Sequence, residues 1–143
     1  MRFIVMVKAT PQSEAGALPK PEMLAKMGAY NEQLAKAGIL LGAEGLHPTS
    51  RGARISYAGA KPTITDGPFA ETKELIAGFW LLQAKSKAEI IEWLARCPFE
   101  EGEQIEIRQI YDMEDFAPVM TPELTEQHER LGAHITSRSD GKP

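Results

Sequence analysis

The sequence predicts an α+β fold, a ferredoxin-like sandwich in which one antiparallel sheet carries two helices on one face. Three observations carry this. The elements run strand, helix, several strands, helix, strand, a loose echo of strand plus helix in both halves. Two segments, Phe3 to Val7 and Ile76 to Gln83, are uninterrupted apolar runs of strand length. Two others, opening at Pro21 and Ser86, carry apolar residues at helical spacing. A chain of 143 residues suffices for one such domain with a real core and is short for two.

Each element follows from local chemistry. Phe3 to Val7 is β-branched and aromatic. Thr10 to Lys20 holds Pro11, Gly16 and Pro19 and predicts a mobile loop. Pro21 opens the first helix, where its missing N–H is not needed. Met23, Met27, Tyr30 and Leu34 follow at helical spacing, and Gly38 stops it. Ile39 to Leu46 is the second strand, with Gly42 and Gly45 predicting a bulge or a close backbone approach. Ala53 to Tyr57 and Thr63 to Thr65 predict a hairpin through Gly59 and Pro62. After the apolar strand, Ser86 caps the second helix with Glu89 in the capping-box position. Ile90, Leu94 and Cys97 face inward, and Pro98 ends it. Gln104 to Tyr111 is the last core strand.

The domain boundary is expected near residue 112, giving a 1–112 domain and a 113–143 extension. Asp112 to Ala117 is acidic, with Phe116 as an anchor. Thr121-Pro122-Glu123 supplies a cap, a first-turn proline and an acid for a further helix. Leu124, His128, Leu131 and Ile135 share one face of it. Ser137 to Pro143 is polar and predicts a frayed tail.

The strands of the predicted sheet do not alternate. Phe3, Val5 and Val7 point one way and Ile4 and Met6 the other; Phe79 and Leu81 oppose Trp80 and Leu82. Two helices cover one face only. A homodimer packed through the sheet face is therefore expected, with the C-terminal segment folding back as the alternative.

Composition narrows the rest. A net charge of -4 and the lack of any Lys/Arg cluster argue against direct nucleic-acid binding. The lone Cys97 suits packing in a reducing compartment. The short apolar N-terminus is no signal sequence, and no run approaches a membrane span, so a cytoplasmic location without membrane attachment is expected. No zinc-type ligand spacing, phosphate-cradling glycine loop or nucleophile elbow occurs, and neither metal nor cofactor is expected.

The candidate chemistry centres on Thr65-Asp66-Gly67-Pro68-Phe69-Ala70-Glu71-Thr72-Lys73-Glu74. An Asp in a turn commonly accepts the N–H two residues on, but here that residue is Pro68. Asp66 is left to cap through the N–H of Phe69, to meet Thr65, Thr72 or a cation, or to serve a ligand as base or orienting carboxylate. Glu71, Lys73 and Glu74 form a solvated charge cluster, or Lys73 holds an anionic substrate. Thr72 offers a hydroxyl, and Phe69 a core or pocket wall. His47, at the end of the second strand, is the histidine of the core region able to exchange protons near neutral pH. Arg51 and Arg54 flank the first hairpin strand. Arg108 and Glu106 share a strand face, to pair or to line a cavity.

That decapeptide resembles the signature of the DGPF branch of the YCII-related proteins. Gly42-Ala43-Glu44-Gly45-Leu46 with Pro48, Gly78-Phe79-Trp80, Cys97-Pro98 and Glu106-Ile107-Arg108 extend the likeness over about residues 1 to 111. The resemblance implies a ferredoxin-like fold assembled as a dimeric α/β barrel. The wider superfamily holds small monooxygenases, isomerases, haem enzymes and dehalogenating members. Relatives are proposed to use a His–Asp pair whose histidine lies in the first helix. Here Pro21 to Ala37 contains none; Tyr30 and Asn31 occupy the neighbourhood. DGPF members are also associated with alternative sigma factors.

Two functions stay open. One is a metal-independent enzyme on a small organic molecule, with Asp66 as base or orienter and His47 as a second proton carrier. Arg54 or Lys73 would then hold an anion, Thr72 would contact substrate, and Tyr30 and Phe69 would wall the pocket. The other is a non-catalytic ligand-binding or regulatory dimer linked to sigma-factor-dependent transcription.

Overall fold

A computed structural model describes residues 1–70 and 72–139; the side chains of Thr72 and Ser139 lie outside that description. The chain divides into two compact units, Met1–Ile110 and Tyr111–Pro143. In the first, a four-stranded sheet has the order β2-β5-β1-β6, with every neighbouring pair antiparallel. Its strands are β1 (Arg2–Lys8), β2 (Leu40–Gly45), β5 (Ile76–Gln83) and β6 (Ile105–Gln109). Helix α2 (Pro21–Lys36) connects β1 to β2, and helix α3 (Lys87–Leu94) connects β5 to β6. This is the ferredoxin-like arrangement that the element order predicts.

The core lies between the helices and one sheet face. Phe3, Val5, Trp80 and Leu82 from the sheet pack with Tyr30 and Leu34 of α2 and Ile90 and Leu94 of α3. Their register explains the choice of face: Phe3 pairs with Leu82 and Val5 with Trp80, so all four point the same way. Each such side chain contributes about 1.5–3 kcal/mol on burial. The polar atoms that enter this layer are paired. The Trp80 indole N–H donates to Asn31 Oδ1 at 2.9 Å, and the Tyr30 hydroxyl donates to the Trp93 carbonyl at 2.8 Å, joining α2 to α3.

Helix α2 begins at Pro21 as predicted. It ends at the C-cap Ala37, where Gly38 turns left-handed with φ +73°. The Gly38 N–H then reaches the Ala35 carbonyl and the Ile39 N–H the Leu34 carbonyl, satisfying two terminal acceptors. Helix α3 is capped by Ser86, whose hydroxyl accepts from the Glu89 N–H. The returning bond differs from a simple capping box: Glu89 accepts from the Lys85 N–H, one residue further out. The register slip in β2 falls between Leu40 and Gly42, where a bulge was expected.

Two segments differ from what the sequence predicts, and the expected hairpin stands by itself. Thr10 to Lys20 is not loop throughout. Thr10 and Ser13 close a reciprocal capping box around a short helix α1 (Pro11–Glu14), with Pro11 in the first turn. The β3 (Ala53–Ser56) and β4 (Thr63–Asp66) hairpin forms its own two-stranded sheet, apart from the four-stranded one. Ser137 to Ser139, expected to fray, continues the last helix, and residues 140–143 of that expected tail lie outside the described residues.

The second face of the sheet carries Ile4, Met6, Phe79 and Leu81, all half-buried, with exposed Glu106 and Arg108 along β6. Glu106 and Arg108 do share a face, yet they form no ion pair among the described residues.

The second unit contains a 3-10 turn (Met113–Val119) started by an Asp112–Asp115 capping box, then α4 (Pro122–Ser139). Tyr111 packs against Phe116 at 5.1 Å between ring centroids. The Thr121 hydroxyl accepts from the Leu124 N–H. Glu123 is held below the usual carboxylate range by its own backbone N–H and then by the Thr121 hydroxyl. Among the described residues, no helix is long and apolar enough to cross a membrane.

Candidate functional site

The loop after β4 is held by the Thr49–Gly52 segment, which is itself tied to Glu14. The Gly67 N–H donates to the Gly52 carbonyl at 3.0 Å, and the Phe69 N–H donates to Thr49 Oγ1 at 3.0 Å. Thr49 lies in a 3-10 turn (Thr49–Arg51) between β2 and β3. Its own hydroxyl donates to Glu14 Oε2 at 2.6 Å, while its backbone N–H donates to Glu14 Oε1 at 3.2 Å. Both carboxylate oxygens of Glu14 are therefore used, and the capping box of α1 fixes where Glu14 stands. Hydrogen bonds to an ionised group are the stronger kind.

Gly67 is needed here for space. A methyl group on its Cα would overlap the backbone carbonyl of Thr49, which cannot move aside like a flexible side chain. The Gly67–Pro68 peptide bond is cis. Together these contacts press the loop backbone against the Thr49 turn.

Asp66 itself stays out of the clasp. It ends β4 paired with Ala53, and its side chain is exposed. Among the described residues its carboxylate makes no hydrogen bond or ion pair. Capping of the Phe69 N–H, one option open to Asp66, does not occur, because Thr49 takes that donor. The loop is thus positioned by other groups, while its carboxylate is presented to solvent.

The remaining candidates divide. Arg54 and Phe69 meet, the guanidinium carbon lying 3.9 Å from the ring centroid, a cation–π contact that joins β3 to the loop. His47 is exposed and is met by Arg51, whose Nη1 is 3.1 Å from Nε2 and 3.3 Å from Nδ1. Since guanidinium only donates, a ring nitrogen is the acceptor. No hydrogen bond joins His47 to Asp66 among the described residues. Lys73 lines a shallow depression with Lys8, Glu74, Gln104, Ile105 and Glu106. Tyr30 belongs to the core, where it stacks edge-on against Trp80 and its hydroxyl is engaged by Trp93, so it does not wall a pocket at the loop. Burial pushes its phenol up to about 12, helped by neighbouring Cys97 and opposed by Arg96. Cys97 is likewise raised to about 12, by burial first and Glu103 second. Glu71 and the Thr72 side chain lie outside the described residues.

Glu14 and Thr49 are the positioning residues that the sequence reading missed. A signal existed. Thr10-Pro11-x-Ser13 has the spacing of a cap, a first-turn proline and a return donor, which would have placed Glu14 at a helix end.

The model of the YCII-related domain matches residues 1–114, most of the chain. The chain belongs to the YCII-related family. A curated relative, an uncharacterised protein of Rhizobium meliloti (strain 1021), is 33% identical over 67 residues, covering 47% of this chain. The match spans about half, 54%, of that relative's length. Among solved structures, the YCII-related chain is similar to 5-chloro-2-hydroxyhydroquinone dehydrochlorinase from Burkholderia phenoliruptrix AC1100 in complex with 2,5-dihydroxybenzoquinone. That likeness has 15% identity and a TM-score of 0.40 over 80% of this chain and 98% of the other, too slight to transfer function. The clasp from Glu14 through Thr49 to Phe69 lies wholly within the matched YCII-related segment.

Proposed function

We propose that this YCII-related domain works as a homodimer joined through its sheets, and that the loop at Asp66 binds a small polar organic molecule. The observation that carries the ligand reading is the division of labour in the loop. Glu14, Thr49 and Gly52 hold its backbone, and the Asp66 carboxylate is left over. A carboxylate on a pre-positioned backbone can accept from a hydroxyl or amine without first ordering a chain. The Arg54–Phe69 pair, one register position along the hairpin, adds a cation and an aromatic face as a further contact for the ligand. Lys73 and Thr72 are further candidates for contact.

Orientation of a ligand fits Asp66 better than acid–base catalysis. A proton relay needs a second titratable group within hydrogen-bond reach. His47 is instead engaged by Arg51. The dimer reading rests on Ile4, Met6, Phe79 and Leu81, a contiguous apolar patch on the central strands. Sheet-to-sheet packing about a two-fold axis would bury it.

A thermal-shift screen of small hydroxylated and amino-bearing organic compounds tests the ligand reading. A compound that stabilises the protein should lose most of its effect with Asp66→Asn and part of it with Arg54→Ala. At a hundredfold excess over Kd, the expected stabilisation is about 2.7 kcal/mol. Equal shifts in wild type and Asp66→Asn would remove Asp66 from the binding site.

A further inference from the structure

The depression at one end of the four-stranded sheet takes no part in the core or in the clasp. It is lined by Lys8, Lys73, Glu74, Gln104, Ile105 and Glu106 and has a volume of about 570 Å³. That is within the roughly 300–1,000 Å³ of small-molecule sites. Asp66, Arg54 and Phe69 do not line it. Its walls are set by successive N–H groups at the end of β1. The Lys8 N–H donates to the Gln104 carbonyl at 3.0 Å, which places the segment entering β6 on one side. The Ala9 N–H donates to the Leu75 carbonyl at 2.9 Å, which places the 3-10 turn Thr72–Glu74 on the other. Leu75 is buried, so the turn that carries Lys73 and Glu74 stands on a core residue. The register of β1 against β5 slips between Val7 and Lys8, a bulge of the kind that re-aims side chains at a strand end.

The charges are informative. Two ammonium groups and two carboxylates line the depression, and among the described residues none of the four forms an ion pair. The Gln104 side-chain amide has no protein partner among those residues either. Met6 pairs with Glu106 and Val7 with Ile105, so Lys8 and Glu106 are diagonal neighbours on one sheet face, their backbones roughly 7–8 Å apart. A ligand of one sign would satisfy two of these groups and be repelled by the other two. A zwitterion satisfies all four. Its carboxylate accepts from Lys8 and Lys73, its ammonium donates to Glu74 and Glu106, and the Gln104 amide can serve either end.

We propose that this depression is a second binding site, for a free α-amino acid held through both of its charged groups. The site stands whether or not Asp66 binds a ligand. Lys73 is common to this lining and to the candidate contacts of the Asp66 ligand, so Asp66→Asn enters the test.

Amide resonances of the isotope-labelled full-length chain test this. The titrants are alanine, serine, glutamine and phenylalanine. Each is compared with its N-acetyl form, which keeps only the carboxylate, and with its amide, which keeps only the ammonium. At least one of the amino acids should shift the Lys8, Glu74 and Gln104 amides saturably. Its N-acetyl and amide forms should bind about tenfold or more weakly, since each loses charge-assisted hydrogen bonds. Lys8→Met, Glu106→Gln and, on the other wall, Lys73→Met should each weaken binding by a similar factor while the remaining amide spectrum is kept. Asp66→Asn should leave the affinity unaltered. No saturable shift with any of the four amino acids overturns the proposal, as does an N-acetyl form or an amide that binds as tightly as its parent. Binding that survives both Lys8→Met and Glu106→Gln overturns it too, and so does loss of binding with Asp66→Asn, which would assign the ligand to the hairpin loop.

Discussion

Thr49 does more for the loop than any residue within it. Its hydroxyl accepts from Phe69 and donates to Glu14, so one side chain ties three segments together. Thr49→Val keeps the shape and removes both bonds. The expected cost is about 1–3 kcal/mol, because the Phe69 N–H and a charged acceptor lose their partner. Gly67→Ala should cost a similar amount, about 1–3 kcal/mol, by forcing the loop away from the Thr49 carbonyl. Urea unfolding reads both, with the exposed neighbour Ser50→Ala as control. If Thr49→Val costs no more than Ser50→Ala, the clasp does not stabilise the loop. The sequence pointed to Asp66 because Pro68 removes its usual acceptor role. It did not point to Thr49, since nothing local to Pro48-Thr49-Ser50 indicates a contact with residues 35 positions earlier and 20 later. Contacts of that range are invisible to residue-by-residue chemistry.

At the scale of elements, the α2–α3 seam makes a pH prediction. Tyr30 and Cys97 both have pKa values raised to about 12, from ordinary values of 10.0 and 9.0. A raised acid holds its proton more tightly folded than unfolded. Stability from these groups is complete below the unfolded values and is lost as pH rises from 9 toward about 12. Cys97 should therefore react with a disulfide reagent at pH 9 roughly tenfold or more slower than the urea-unfolded chain, since the thiolate is the nucleophile. A folded protein reacting as fast as the unfolded one would refute the burial of this thiol. The helices on either side of the seam were legible because their signals are local: Pro21 and Gly38 for α2, Ser86 and Glu89 for α3. Tyr30 sits at helical spacing with Met27 and Leu34, and it packs in the core with them.

At the scale of the whole molecule, the two-faced strands remain the main clue. Apolar residues on consecutive positions of β1 and β5 cannot all reach the helices, because a pleated strand sends neighbours to opposite sides. The element order, read from those strands and the two helices, made the fold class readable; strand order and register were not, because two apolar faces specify register weakly. The site was readable only in part, because Asp66, Arg54 and Phe69 belong to a loop and a separate hairpin whose placement depends on Glu14 and Thr49. All eight hairpin residues are exposed, and an isolated two-stranded sheet is marginal in water. The Arg54–Phe69 contact and the Gly67–Gly52 bond extend its cross-strand contacts, and the Phe69–Thr49–Glu14 bonds tie it to α1.

Native mass spectrometry reads dimerisation and ligand binding together, comparing wild type with Asp66→Asn after incubation with a compound from the stabilising screen. Wild type should appear as two chains carrying the compound, and Asp66→Asn as two chains without it. A single-chain wild type would rule out the sheet-to-sheet dimer, and a wild type that retains no compound, or an Asp66→Asn dimer holding as much compound as wild type, would rule out ligand binding at Asp66.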